Sequence, residues 1–144
     1  MPAEDPFSLE RFESAQEGIY DTVCRELKKG KKRSHWMWFI FPQLDGLGRS
    51  STARHYAIKS LEEADAYLAH ATLGPRLLEC CQLILGIEGT SATDIFGFPD
   101  DVKLRSSMTL FAKVDGAPTE FQRVIDKYFG GEFDQRTIEL LEAP

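Results

Sequence analysis

The sequence predicts an all-α protein: a single multi-helix domain assembled around a central Trp/Phe-rich segment. Three observations predict it. Apolar residues recur at three- and four-residue steps along most of the chain. Ser, Thr and Asp before those stretches, and Gly after them, mark where helices begin and end. The densest apolar run, Trp36 to Pro42, has apolar side chains on every side, which only a buried element tolerates. No internal repeat, low-complexity tract or linker interrupts the pattern, and every loop is short. One domain over residues 1–144 is therefore expected, with 1–6 and 142–144 loosely ordered.

The elements follow in order. Leu9, Phe12, Ile19, Tyr20, Val23 and Leu27 form one stripe, with Glu10, Glu13, Glu17 and Asp21 on the other face, so one long helix is expected, with Ser8 as N-cap and Gly30 just past its end. The type of Thr52 to Lys59 is left open. Ser60-Leu61-Glu62-Glu63 has the form of a capping box, the Ser60 hydroxyl taking the Glu63 amide and the Glu63 carboxylate reaching back, so a helix should run from Leu61 to about His70. Leu73-Gly74-Pro75 opens the next, which stops at Gly86. Ser91 starts a short turn ending near Gly97, and a helix from about Pro99 to Lys113 carries Asp100 and Asp101 in its first turn. Thr119 should cap the helix ended by Gly130-Gly131, and Asp134 the last one.

The segment Ser34 to Pro42 holds four aromatic rings between Trp36 and Phe41. Each aromatic buries ~150–250 Å², so at ~25 cal/mol per Å² the four contribute on the order of 15 kcal/mol of gross hydrophobic stabilisation. That places the segment near the centre of the domain. It reads as a short helix opened by Ser34 and ended by Pro42; the alternative is a buried strand, for which 55–58 is the available partner.

The chain has 144 residues, a net charge of -6, 28% charged and 42% hydrophobic residues. That is enough to form a core without disulfides or metal, and it argues against disorder. The negative balance disfavours general nucleic-acid binding, and none is expected. The local basic patch of Lys28, Lys29, Lys31, Lys32 and Arg33 has a plain role in complementing the dipole at a helix end. The apolar run is far short of the ~20 residues that span a bilayer, and no signal sequence opens the chain, so no membrane and a cytoplasmic location are expected. Cys24, Cys80 and Cys81 lack a Cys-x-x-Cys pair or a histidine at ligand spacing. They read as small buried thiols, and neither a metal nor a cofactor is expected.

Two clusters carry polar groups that a core does not need. His35 sits beside Trp36, and Gln43 follows Pro42; either satisfies buried backbone groups or faces a ligand, histidine being the side chain most easily tuned as an acid or base. On the helix from Pro99, Asp100, Lys103 and Ser107 share a face, with Asp101 beside them: a carboxylate, an ammonium and a hydroxyl in a row. The plain reading is helix capping and an exposed ion pair, but Ser106-Ser107 are weak helix formers that solvent exposure gives no reason to choose. Gly46-Leu47-Gly48, with Arg49 or Arg54, offers a loop for an anion, although without the preceding strand and Gly-Lys-Ser ending of a phosphate loop a simple turn is the plainer reading.

Several stretches resemble a family. Asp5-Pro6-Phe7-Ser8-Leu9, Trp36-Met37-Trp38-Phe39-Ile40-Phe41-Pro42-Gln43, Leu73-Gly74-Pro75-Arg76-Leu77 and Asp100-Asp101-x-Lys103-Leu104-x-Ser106-Ser107-Met108 together look like the bacterial proteins grouped as domain of unknown function 1810. The resemblance spans nearly the whole chain and implies a compact all-α fold. It implies no established activity. The label "calpastatin" that some genomes attach finds no support, because that inhibitor is disordered and poor in aromatics whereas this chain is 11% aromatic. Ala71-Thr72 stands where the resemblance leads one to expect a proline after His70, which puts only that turn in question.

Three readings of function follow. The first is a pocket walled by Trp36 or Trp38 and lined by Gln43, Gly46, Gly48, Arg49 and Arg54. His35, Asp100, Asp101, Lys103 and Ser107 form its polar side, where catalysis would reside. A phosphate-bearing small molecule with a flat ring, a nucleotide or ADP-ribose-like ligand, suits it, and an aspartate pair suits glycosidic hydrolysis. The second is a non-catalytic protein-interaction module with an unknown partner, marked by an exposed apolar patch. The third is nucleic-acid contact through the basic patch. Sequence leaves open whether the protein is an enzyme.

Overall fold

The first amphipathic stretch is two helices rather than one. In a computed structural model describing residues 5–143, α1 spans Glu10–Gln16 and α2 spans Tyr20–Lys28, separated at Gly18, whose φ of 78° breaks the helical path. Ser8 does not cap α1. It lies at φ 53°, and the Asp5 carboxylate instead accepts from the Leu9 and Glu10 amides at 2.8 and 2.9 Å. Gly30 ends α2 as its position predicts: at φ 72° it donates to Leu27 O at 3.0 Å while Lys31 N reaches Glu26 O at 3.1 Å, a Schellman turn.

The aromatic segment forms α3, Met37–Ile40, a single helical turn. Ser34 does not open it, because its side chain is engaged with Glu26. Beyond Pro42 the chain extends briefly, and Leu44 makes an isolated parallel bridge with Ile58. The stretch left open, Thr52 to Lys59, begins as α4, Ser51–His55, capped by the Ser50 hydroxyl.

The remaining helices fall close to their signals: α5 Leu61–Ala69, α6 Leu73–Leu85, α7 Ala92–Phe96, α8 Asp100–Ala112, α9 Glu120–Phe129 and α10 Gln135–Glu142. Ser60 caps α5, Ser91 caps α7 and Asp134 caps α10. Two details differ. Thr119 precedes α9 without a side-chain cap, and the Glu63 carboxylate reaches the Lys59 amide at 2.9 Å rather than that of Ser60. The second arises because the other Glu63 oxygen is held by Arg11 at 2.6 Å. At the turn where a proline was expected, the His70 ring accepts from the Thr72 and Leu73 amides, each at 3.1 Å.

There is no strand among the described residues, and the domain is all-α. The helices α6 and α8 carry the interior: α6 packs against α2, α5 and α9, and α8 against α5, α7, α9 and α10. From Ser106 to Phe111 every α8 side chain is buried, which accounts for the serine pair. Ser106 bonds Asp134 at 3.2 Å, and Thr109 accepts from the Asp134 amide at 2.9 Å, so these small hydroxyls seat the start of α10. The core has two aromatic groups. One runs Phe12–Tyr67–Phe111–Phe121, with centroid separations of 5.1, 5.4 and 5.6 Å. The other is a triangle of Trp36, Phe41 and Phe96 at 5.8 to 6.3 Å.

Candidate functional site

The site is assembled by the chain that leaves α2. After the Gly30 turn, residues 31–36 run back across α2, and the Glu26 carboxylate captures them. One oxygen accepts from the Arg33 amide at 2.8 Å, the Ser34 amide at 3.0 Å and the Trp36 indole N–H at 2.9 Å, and the other from the Ser34 hydroxyl at 2.6 Å. Burial alone would raise the carboxyl pKa, but the Ser34 hydroxyl, the two amides and the indole outweigh it and hold Glu26 at about 2. Lys32 is anchored separately, its amide donating to Ile95 O on α7 at 2.7 Å.

Those anchors aim Lys32 inward. Its ammonium lies 2.7 Å from Asp100 Oδ2, 2.6 Å from Ser34 O and 5.0 Å from the Trp36 ring, with the side chain only 6% exposed. The other Asp100 oxygen is 3.8 Å from Lys103, whose ammonium stands 5.1 Å from the Trp38 ring and whose side chain is 27% exposed. One carboxylate thus joins two lysine–tryptophan pairs, leaving the group of Lys32, Asp100 and Lys103 with net charge +1. Lys32 is the cation buried in the fold; Lys103 is the one that solvent reaches.

The residues singled out from sequence are distributed unevenly around this cluster. Trp36 is fully enclosed, whereas Trp38 is half-buried at the surface. Gln43 and Gly48 line a cleft with Trp38, Ala53 and Tyr56, but its volume of about 10 Å³ is the room of one water. Gly48 is required there for packing, since a Cβ on it would stand 2.5 Å from that of Ala53. Gly46, at φ 102°, shapes the exposed turn. Arg49, Arg54 and His35 are exposed. Asp101 is fastened to α7 by the Thr93 hydroxyl at 2.6 Å and accepts from the Val102 amide at 2.8 Å. Ser107 is buried, and its hydroxyl lacks a hydrogen-bond partner among the described residues. It lies one turn inward from Lys103 on the face of α8 that begins with Asp100.

Sequence reading missed Glu26, which falls between Val23 and Leu27 on the apolar stripe of α2; a carboxylate inside such a stripe was the available signal. It also treated Lys32 as one of five surface cations. Lys28, Lys29, Lys31 and Arg33 are exposed, but Lys32 is not. No group of His, Cys, Asp and Glu suited to a metal occurs among the described residues, and none of their helices is long and apolar enough to cross a membrane.

Residues 6–141 match the model of a family described as protein of unknown function, DUF1810. The chain belongs to this family. Among solved structures it is similar to the crystal structure of the conserved hypothetical protein Rv1873 from Mycobacterium tuberculosis: 54% identity, 97% of this chain and 100% of that one covered, and a TM-score of 0.95. No curated protein matches. The DUF1810 assignment therefore agrees with the motif resemblance, and neither comparison names a ligand or a reaction.

Proposed function

We propose that this DUF1810 protein binds a small phosphate-bearing molecule with a flat ring, of the nucleotide or ADP-ribose type, on the surface formed by Trp38 and Lys103. The observation that carries the reading is the unequal sharing of Asp100. Lys32 takes one oxygen at 2.7 Å, while Lys103 sits 3.8 Å from the other, so Lys103 is the less neutralised cation and stands beside a solvent-reaching indole. An anion can pair with that ammonium while a ring stacks on Trp38. The small volume beside Trp38 favours binding across the surface over engulfment in a pocket. Ser107 is fully buried in the core, out of reach of a molecule bound across this surface.

Binding fits better than hydrolysis. Asp100 is engaged by two lysines and Asp101 by Thr93 and a helix amide, so neither carboxylate is free to act as a base or nucleophile in this arrangement.

Thermal-shift and calorimetric titration with AMP, ADP, ADP-ribose and inorganic phosphate tests this. A ring-bearing phosphate is expected to raise stability by ~2.7 kcal/mol at a hundredfold excess over its dissociation constant. Lys103→Ala and Trp38→Ala should each weaken it about tenfold or more. Binding that ignores both substitutions, or no binding by the whole panel, would overturn the reading. A protein-interaction role is the second reading, favoured by Phe98 at 80% and Val102 at 47% exposure where α8 begins. Phe98→Ser with Val102→Ser should leave nucleotide titrations unchanged under the first reading and abolish partner capture under the second.

A further inference from the structure

The two lysines on either side of Asp100 are held very differently. Lys32 is pinned along the backbone from both directions: its own amide donates to Ile95 O on α7 at 2.7 Å, and the Glu26 carboxylate accepts from the Arg33 and Ser34 amides that follow it at 2.8 and 3.0 Å. Its ammonium donates to Ser34 O at 2.6 Å and lies 2.7 Å from Asp100 Oδ2. Because α7 packs against α8, the helix that begins with Asp100, this cation is fixed in the same frame as the carboxylate it holds. Lys103 lies three residues beyond Asp100 on α8, a spacing at which a carboxylate and an ammonium can meet. Its ammonium nevertheless stands 3.8 Å from Asp100 Oδ1, outside hydrogen-bond distance.

We infer that Lys32 is a positioning residue of this site: it holds Asp100 back from Lys103 and so keeps the Lys103 ammonium available to the phosphate of a ligand. The inference rests on the ligand reading above and adds to it a competition inside the protein. Asp100 and an arriving phosphate are rivals for one ammonium. With Lys32 in place, one carboxylate oxygen is already neutralised at hydrogen-bond distance, so Asp100 gains little by closing the remaining gap to Lys103. Without Lys32, the carboxylate, whose side chain is only 21% exposed, has Lys103 alone to pair with and turns onto it, taking the place of the anion. The Lys32 side chain is 6% exposed, so it acts through Asp100 rather than by touching the ligand. Loss of Lys32 and loss of the Asp100 charge should therefore act in opposite directions.

Calorimetric titration of AMP and ADP-ribose into the wild type, Lys32→Met, Asp100→Asn and the double variant tests this, with circular dichroism to check that each is folded. Lys32→Met should weaken binding about threefold or more, and Asp100→Asn should tighten it by a similar factor. In the Asp100→Asn background, Lys32→Met should change affinity by less than about twofold, because no carboxylate remains to be held. That comparison separates positioning from charge alone: the plain loss of one cation weakens binding equally in both backgrounds. Equal weakening in the two backgrounds, or Asp100→Asn binding less tightly than the wild type, would refute the inference. If Lys32→Met does not fold, the Asp100→Asn titration still decides it. Binding that Lys103→Ala abolishes and Lys32→Met leaves unchanged refutes the positioning role alone, whereas a wild type that binds neither probe overturns the ligand reading and this inference with it.

Discussion

Glu26 shows how one side chain decides where a site is built. Its carboxylate gathers two amides, a hydroxyl and an indole N–H, and so fixes residues 33–36 against α2. Folding holds it at about 2, below the 4.5 of a free glutamate, so the folded state favours the ionised form. The associated stability, on the order of 3 kcal/mol, is fully present above about pH 5 and is lost as pH falls through about 2. Urea titrations from pH 7 down to 2 should show that loss, and Glu26→Gln should flatten it while lowering stability at pH 7 by about 1–3 kcal/mol. The tryptophans give a second residue-scale expectation. Acrylamide should quench Trp38 emission strongly and Trp36 weakly, so Trp38→Phe should remove most of the quenchable signal.

At the scale of elements, caps and glycines carry most of the local information. Ser60, Ser91 and Asp134 sit where hydroxyl or carboxylate caps were read, because such a cap needs only the amide two or three residues ahead. The long first helix failed for the converse reason. Gly18 lies among helix-compatible neighbours, and the helix is divided where Glu17 is extended at ψ 128° and Gly18 takes a positive φ. Gly74 marks another contact between elements: a Cβ there would stand 2.1 Å from Leu68 O at the end of α5. Gly74→Ala should therefore separate α5 from α6 and lower stability by about 1–3 kcal/mol or more, read as a lower denaturation midpoint. Gly116, whose added Cβ would meet no atom within 4 Å, tests steric packing by contrast; Gly116→Ala should cost less, its penalty limited to the strained φ of 73°.

For the whole molecule, Arg11 is the staple. Its guanidinium donates to Phe7 O, Ser8 O, His55 O, Ala57 O and the Glu63 carboxylate, tying α1 to the end of α4 and the start of α5. Its side chain is 13% exposed and that of Glu63 is 2% exposed, so removing the cation strands a buried carboxylate. Arg11→Ala should lower stability by about 3–5 kcal/mol, and Arg11→Lys should recover little, because a single ammonium cannot serve acceptors spread around a planar fork. Calorimetry on the wild type should show one cooperative transition, since both aromatic groups belong to one continuous core.

By itself the sequence determined the fold class, the bounds of most helices and the central place of Trp36, because helical periodicity, caps and apolar density are set by neighbours a few residues apart. It also placed Asp100, Lys103 and Ser107 on one face. Tertiary structure alone decided that Lys32 is the buried partner of Asp100, that Glu26 holds the approach, and that Trp36 faces inward while Trp38 reaches the surface. The first depends on residues far apart in the chain coming within bonding distance, as Lys32 and Asp100 do; the second is a shorter-range capture, Glu26 bonding the Trp36 indole ten residues on. No local pattern encodes that distance; the packing of α7 and α8 against the chain leaving α2 sets it.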